Sequence, residues 1–221
     1  MRRGRFTGLS RQEKEQRLQR ILALYCGEVK LIDDCVGKLF VALTEAGILD
    51  DTVVVFSSDH GEYMGEHGLM GKNQLYESVY RIPLLVRCPP AIPAGTEIQH
   101  LVSTVDFQQT LLALMGVSPC GREQGRNAAP LLCGQNVAWT DEVFIHHSSL
   151  SRAGVITPEY ALAHVQDGEG LLFDRVDDPH QRKNLYSQAA YAEVVRDLTR
   201  RIVRHHQALG SPEADWLEEL A

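Results

Sequence analysis

The chain has 221 residues, of which 44% are hydrophobic and 23% charged, a composition near the globular average that excludes a disordered, collagen-like or purely coiled-coil protein. Twenty-two Lys and Arg against 29 Asp and Glu leave a formal net charge of −7, which argues against nucleic acid or an anionic membrane surface as partner. No run of residues approaches the roughly 20 consecutive apolar positions of a membrane span, so none is expected. Met1 to Thr7 is basic but no apolar stretch follows it; this is not a secretory signal, and the expectation is a cytoplasmic chain. Five cysteines (Cys26, Cys35, Cys88, Cys120, Cys133) without a C-x-x-C pair fit neither a zinc cluster nor a complete disulfide framework and read as reduced thiols.

Ser10 followed by Glu13 is a capping-box signature, and after it apolar residues fall at 18, 22, 25, 29, 32, 36, 39 and 43 in alternating steps of four and three. This predicts one long helix with one buried stripe, ended at Gly47. A coiled coil has the same spacing, but Gly27 and Gly37 favour packing against a sheet. Thr52 to Ser57 follows with four apolar residues in succession, lacking the alternation of a strand with one wet face, and predicts a central parallel strand. Helix, short loop and doubly buried strand make half of a βαβ crossover, in which ligands sit beyond the carboxyl ends of the strands. Interest therefore falls directly after Ser58.

Residues 58–75 form a polar loop with Gly61, Gly65, Gly68 and Gly71, and Pro83 to Arg87 reads as the next strand, ended by Pro89, Pro90 and Pro93. Thr104 is placed to cap a second helix, Val105 to Met115, closed by Gly116. The stretch 116–136, rich in Gly, Pro and Asn, reads as a linker. It divides the chain into an α/β part at 1–135 and a C-terminal subdomain at 136–221. In the latter, 142–147, 154–157, 160–165 and 171–174 predict a small antiparallel sheet, followed by an amphipathic helix from about Gln188 to Leu209 that carries Val194, Val195, Leu198, Ile202 and Val203 on one side.

The loop after the first strand concentrates the chemistry. Asp59 and His60 are adjacent, and a bend through Gly61 lets both face one divalent cation, the carboxylate as a hard ligand and the imidazole as a borderline one. Lys72, between Gly71 and Asn73, can bring an ammonium to an anionic oxygen. Together they point to metal-assisted attack at an anion. Singly, such Asp-His pairs mostly make local hydrogen bonds and such lysines mostly sit in solvent. His146-His147 and His205-His206 read as surface or locally bonded residues, because adjacent side chains diverge on both strands and helices. Arg200, Arg201 and Arg204 read as the solvated face of the last helix.

Taken in order, Thr52-Val-Val-Val-Phe-Ser-Ser-Asp-His-Gly-Glu62, Gly65-Glu-His-Gly-Leu-Met-Gly-Lys72, Leu75-Tyr-Glu-Ser78 and Arg81-Ile-Pro-Leu-Leu-Val-Arg87 resemble the second half of a type I sulfatase catalytic domain. Ile32-Asp-Asp-Cys-Val-Gly37 is similar to the family's preceding helix, Ser103 to Gly116 to the following segment, and Asp177-Asp-Pro-His180 with Asn184-Leu185 to the turn before its last helix. The implied fold class is α/β: the C-terminal part of an alkaline-phosphatase-like mixed, mostly parallel sheet with flanking helices, then a small antiparallel sheet with a C-terminal helix. The implied activity is metal-dependent hydrolysis of a sulfate ester. The resemblance gives Asp59 and His60 a divalent ion, Ca2+ before Mg2+, and gives Lys72 a catalytic contact with the sulfate. His67 is either a substrate contact or part of the loop's structure; Glu66 and Glu77 are structural.

The family's formylglycine motif, Cys-x-Pro-Ser-Arg, and an early aspartate pair do not occur in this sequence; Cys88-Pro-Pro-Ala-Ile92 shares only the cysteine and the third-position proline. The formylglycine is therefore expected in a missing N-terminal half, and the chain by itself is expected to be inactive. The expected partners are a small sulfate ester or sulfated carbohydrate and that missing half, with no nucleic acid. Two other readings stand beside this one: a phosphonate monoester hydrolase or phosphodiesterase of the same superfamily, and a non-catalytic remnant that binds an anion or a partner chain. Without the family's earlier strands and helices, strand 52–57 should leave an unpaired edge and exposed apolar area.

Overall fold

The computed structural model describes residues 8–146, 151–210 and 212–220; the basic start and His147, both considered above, lie outside them. The chain forms two compact units, Met1–Lys72 with Ile82–Pro90 and Asn73–Arg81 with Ala91–Ala221.

In the first unit the capping box forms. The Glu13 amide donates to Ser10 Oγ at 3.3 Å and the Ser10 amide to the Glu13 carboxylate at 2.8 Å, opening helix α1 (Arg11–Glu45). Its end is closed by the Gly47 and Ile48 amides, which donate to the Thr44 and Leu43 carbonyls at 3.0 and 3.1 Å. The apolar residues have the expected helical spacing, but the expected buried stripe does not result. No residue of α1 is buried, Leu18, Val36 and Leu43 are half-buried, and Leu22, Tyr25, Val29, Ile32 and Leu39 are exposed. Strand β1 (Val54–Ser57) pairs with β2 (Leu84–Arg87) in a two-stranded sheet. The pairing is antiparallel, with Val54 opposite Arg87 and Ser57 opposite Leu84, where the crossover argument expects a parallel neighbour. The connection, 58–83, is a folded loop with a three-ten turn at Glu66–Gly68 and one α-helical turn, α2 (Glu77–Tyr80), and it returns at the end where β1 stops without crossing to the strand's start.

In the second unit, β3 (Val143–His146), β4 (Arg152–Ile156), β5 (Tyr160–Val165) and β6 (Leu171–Asp174) form the expected antiparallel sheet in chain order. Alternation along the strands sorts its two faces. Ala153, Val155, Leu162 and Leu172 share one core with Leu198, Ile202 and Val203 of helix α5 (Ala192–Leu209) and with Leu217 of the C-terminal three-ten helix, Pro212–Leu220. On the opposite face Ile156, Ala161, Ala163 and Phe173 are also buried, and the Tyr76 ring lies 5.6 Å from that of Phe173. Segment 73–81 is held there by a largely buried ion pair, Glu77 Oε1 to Arg175 Nε at 2.6 Å, and by the Glu77 amide donating to Gln181 Oε1 at 2.6 Å.

Residues 91–135 group with this sheet, although the composition of 116–136 suggests a boundary at 135. Polar ties explain the grouping. Asp106, 1% exposed, accepts hydrogen bonds from the Arg126 amide at 2.7 Å and its guanidinium at 2.9 Å. Arg126 then donates to the Thr140 carbonyl at 2.6 Å and lies 4.0 Å over the Trp139 ring, while Asp141 accepts from the Leu101 amide and from His100 Nδ1, both at 2.8 Å. Within the supposed linker the turn α4 (Ala129–Leu132) buries Ala129, Leu131 and Leu132. Helix α3 (Phe107–Leu114) follows a three-ten turn whose capping box is made by Ser103 and Asp106, one residue before the expected Thr104.

Two outcomes follow. Ile202, fully buried in the α5 core, should cost about 2–4 kcal/mol on truncation to Ala, read as a lower midpoint in urea unfolding. His164 is buried, with Nε2 2.8 Å from Thr199 Oγ1, and burial lowers its pKa to about 4. Its folded pKa lies below the unfolded value of 6.5, so the unfolded chain takes up the proton first. The stability is complete above pH 6.5 and is lost as pH falls toward 4, by about 3 kcal/mol. Urea unfolding across that range should show the slope, and His164→Gln should flatten it.

Candidate active site

The site is built where β1 ends. Ser57 Oγ donates to the Pro83 carbonyl at 2.9 Å, fixing the strand end against the returning chain. The backbone then bends: Ser58 Oγ donates to the His60 carbonyl at 2.9 Å, and the His60 amide donates to Asp59 Oδ1 at 2.9 Å. His60 Nδ1 lies 2.8 Å from the Gly61 carbonyl. A carbonyl can only accept, so Nδ1 carries the proton and, in the neutral ring, Nε2 keeps its lone pair. That Nε2 faces Asp59 Oδ2 at 3.1 Å and also meets Lys72 Nζ.

Lys72 is brought back by the glycine loop. The Tyr63 amide donates to the Gly71 carbonyl at 3.1 Å and the Gly65 amide to the Leu69 carbonyl at 3.0 Å, with the Tyr63 side chain 2% exposed beneath them. Gly65 and Gly71 have φ of +96° and +89°, values that side-chain-bearing residues rarely adopt. The Gly71 amide donates to the Glu62 carboxylate, which thus holds the residue next to Lys72. Glu62 was not singled out in the sequence; its position beside Asp59-His60-Gly61 and its half-burial in a polar loop are the signals.

The structure thus brings Asp59, His60 and Lys72 together. His67 lies on an exposed three-ten turn, Glu66–Gly68, with φ +53°. The slight desolvation of the exposed Asp59 carboxyl works to raise its pKa, but the His60 amide, followed by the His60 ring and the Lys72 charge, holds it below its usual range. An ionised oxygen beside an imidazole lone pair is a suitable donor pair for a divalent cation. Among the described residues no group of three or more His, Cys, Asp or Glu side chains could hold a metal ion, so the pair is not by itself a complete site.

Elsewhere, His205 stacks on Phe144 with ring centroids 3.9 Å apart, and His206 is buried 6.3 Å from the His146 ring. His206 is therefore a packing residue, where the sequence reads it as a surface or locally hydrogen-bonded one. Glu77 has the structural role expected of it, in the ion pair with Arg175. No described helix is long and apolar enough to cross a membrane.

Residues 4–117 match the sequence model of the Sulfatase family, and residues 65–208 match that of the N-sulphoglucosamine sulphohydrolase C-terminal region. An N-acetylglucosamine-6-O-sulfatase of Bacteroides thetaiotaomicron is 31% identical over 192 residues, covering 81% of this chain and 34% of the relative. A multifunctional alkaline phosphatase superfamily protein, PehA, of Trinickia caryophylli is 31% identical over 203 residues, covering 83% and 40%. Among solved structures, BT4656 in complex with its substrate D-glucosamine-2-N,6-O-disulfate superposes with a TM-score of 0.77 at 28% identity, covering 85% of this chain and 41% of that one. The phosphonate monoester hydrolase of Agrobacterium radiobacter gives 0.76 at 26% identity, with the same coverage. The chain thus spans well under half of the length of each relative, with the alkaline-phosphatase-like α/β fold expected. It belongs to the sulfatase family, of whose domain it is the C-terminal part.

Proposed function

We propose that this chain is the C-terminal portion of a metal-dependent sulfuric ester hydrolase acting on sulfated carbohydrates. The observation that carries the reading is the convergence of Asp59 Oδ2, His60 Nε2 and Lys72 Nζ at the carboxyl end of β1. Asp59 and His60 would hold a divalent cation; an exposed glycine loop suits the irregular oxygen shell of Ca2+ better than the strict octahedron of Mg2+. When bound, the cation supplies Lewis-acid polarisation of the sulfate oxygens. Lys72 places an ammonium against the same oxygens and stabilises charge that grows there in the transition state. Glu62 orients Lys72 through the Gly71 amide, and His67 contacts the substrate from its exposed turn.

The nucleophile, a formylglycine, belongs to an N-terminal portion that this sequence does not contain. Cys88, the cysteine with the nearest sequence context, is buried at the end of β2. The carbohydrate class is supported by the named activity of the Bacteroides relative and by the glucosamine disulfate bound to BT4656. The likeness to a phosphonate monoester hydrolase supports a second reading, since a cation and a lysine stabilise any tetrahedral oxyanion.

The chain alone should show no turnover of 4-nitrophenyl sulfate. Joined by co-expression to an N-terminal sulfatase portion, it should turn over, and Lys72→Ala should lower kcat by about 10²- to 10³-fold. Asp59→Asn should abolish activity, as should chelation with EGTA, and added Ca2+ should restore only the chelated wild type. Lys72-dependent turnover by the isolated chain would sink the incomplete-site reading, and faster hydrolysis of a phenylphosphonate monoester than of the sulfate would establish the second one.

A further inference from the structure

We infer that the last turn of helix α5 and strand β3 form an acid-sensitive latch, held shut by three neutral histidines, His146, His205 and His206, and opened when they take up protons. The inference is independent of the catalytic reading. Strand register places the first of the three. His146 and Phe144 lie opposite Ala153 and Val155, so both stand on the sheet face that packs against α5. Helix α5 meets that face with Leu198, Thr199, Ile202, Val203 and His206, a stripe at helical spacing whose last position holds an imidazole instead of an aliphatic side chain. There His206 is 6% exposed, its ring 6.3 Å from that of His146 and 5.7 Å from that of His205. His205 in turn stacks on Phe144. The rings meet edge to face, at 71° and 83°, and among the described residues no group of three or more such side chains could hold a metal ion.

The cluster has nothing to receive a positive charge. His206 Nδ1 is buried and has no hydrogen-bond partner. A neutral ring with its proton on Nε2 leaves only a bare lone pair there, whereas an imidazolium presents an N–H at both nitrogens, and a buried N–H without an acceptor is costly. The ionisable groups around the cluster are already engaged. Glu142, just before β3, pairs with Arg201 at 3.2 Å, and Arg201 also with Asp197. Glu218 of the three-ten helix accepts from Gln207 at 2.9 Å, and His164 of β5, on the same sheet face, is bonded to Thr199. The C-terminal end of a helix dipole favours a cation, but the neighbouring imidazoles oppose a second charge. Burial, and then the neighbouring rings, hold His205 and His206 below the usual histidine range, although Glu142 pulls His205 the other way. The open form thus takes up protons first: the latch is closed above pH 6.5, the ordinary histidine value, and weakens as pH falls below it. The three-ten helix Pro212–Leu220 moves with it, since Leu217 is buried in the same core and Gln207 donates to Glu218.

Hydrogen exchange of the full chain, read by mass spectrometry and corrected for the intrinsic pH dependence of amide exchange, tests this. Between about pH 7.5 and 5.5 the opening constant at the end of α5 and in the three-ten helix should rise by at least about tenfold. Over the same range the first turns of α5 and strands β4 and β5 should keep their protection. His206→Phe, which keeps a ring in the core and removes the titration, should abolish the rise. His146→Gln, at an exposed strand position where the chain folds without the histidine, should shrink it and serves as the test if the first variant does not fold. His164→Gln should leave it unchanged, which separates the latch from the global pH dependence of the buried β5 histidine. Equal protection at both pH values, a loss spread over the whole sheet, a rise of full size in His146→Gln, or a rise abolished by His164→Gln would each overturn the proposal.

Discussion

The antiparallel pairing of β1 with β2 is the constraint on which the chemistry of this chain depends. By placing Ser57 opposite Leu84, and by binding the Ser57 hydroxyl to the Pro83 carbonyl, it fixes both ends of a long polar excursion. Without that closure the glycines of the loop would only add freedom. With it, their left-handed conformations turn the chain back on itself so that a lysine twelve positions after His60 returns to its ring. The strand pair also sets the direction in which Asp59 and His60 emerge, since the chain bends away within two residues of the last ladder position.

The two units are stabilised in different ways. The second has a sheet buried on both faces, by α5 and the C-terminal three-ten helix on one and by Tyr76 and its segment on the other. Its long connections are tied by charged hydrogen bonds to buried carboxylates, Asp106 with Arg126 and Glu77 with Arg175. Such pairs are costly to break one partner at a time, because an unpaired buried charge remains. The first unit has few buried side chains, an all-exposed or half-buried helix and two strands. Its order rests on hydrogen bonds within the loop and at the helix ends.

The same asymmetry describes the site. Asp59, His60 and Lys72 are brought together and oriented by bonds of their own loop, while among the described residues no group of three or more His, Cys, Asp or Glu side chains could hold a metal ion. On the proposed reading, a catalytic centre at the carboxyl ends of a sheet draws on several strand ends, of which the end of β1 is one.

Local chemistry made much of this legible beforehand. The capping box at Ser10 and Glu13, the strand at 54–57, the four short strands of the second sheet and the apolar face of α5 each depend on residues near one another in sequence, and each formed. The Asp59, His60 and Lys72 set was legible because an ordered run of residues carried it. Tertiary structure decided the rest. Whether the stripe on α1 is buried depends on what lies across from it, and nothing in the stripe says so. Whether β2 runs parallel depends on the connection, and whether 116–136 is a linker depends on Arg126 meeting Asp106 some twenty residues away. Glu62 and His206 likewise acquired their roles from partners. Periodicity and capping are set by neighbours along the chain, whereas burial, strand direction and the closing of a site are set by surfaces that meet only after folding.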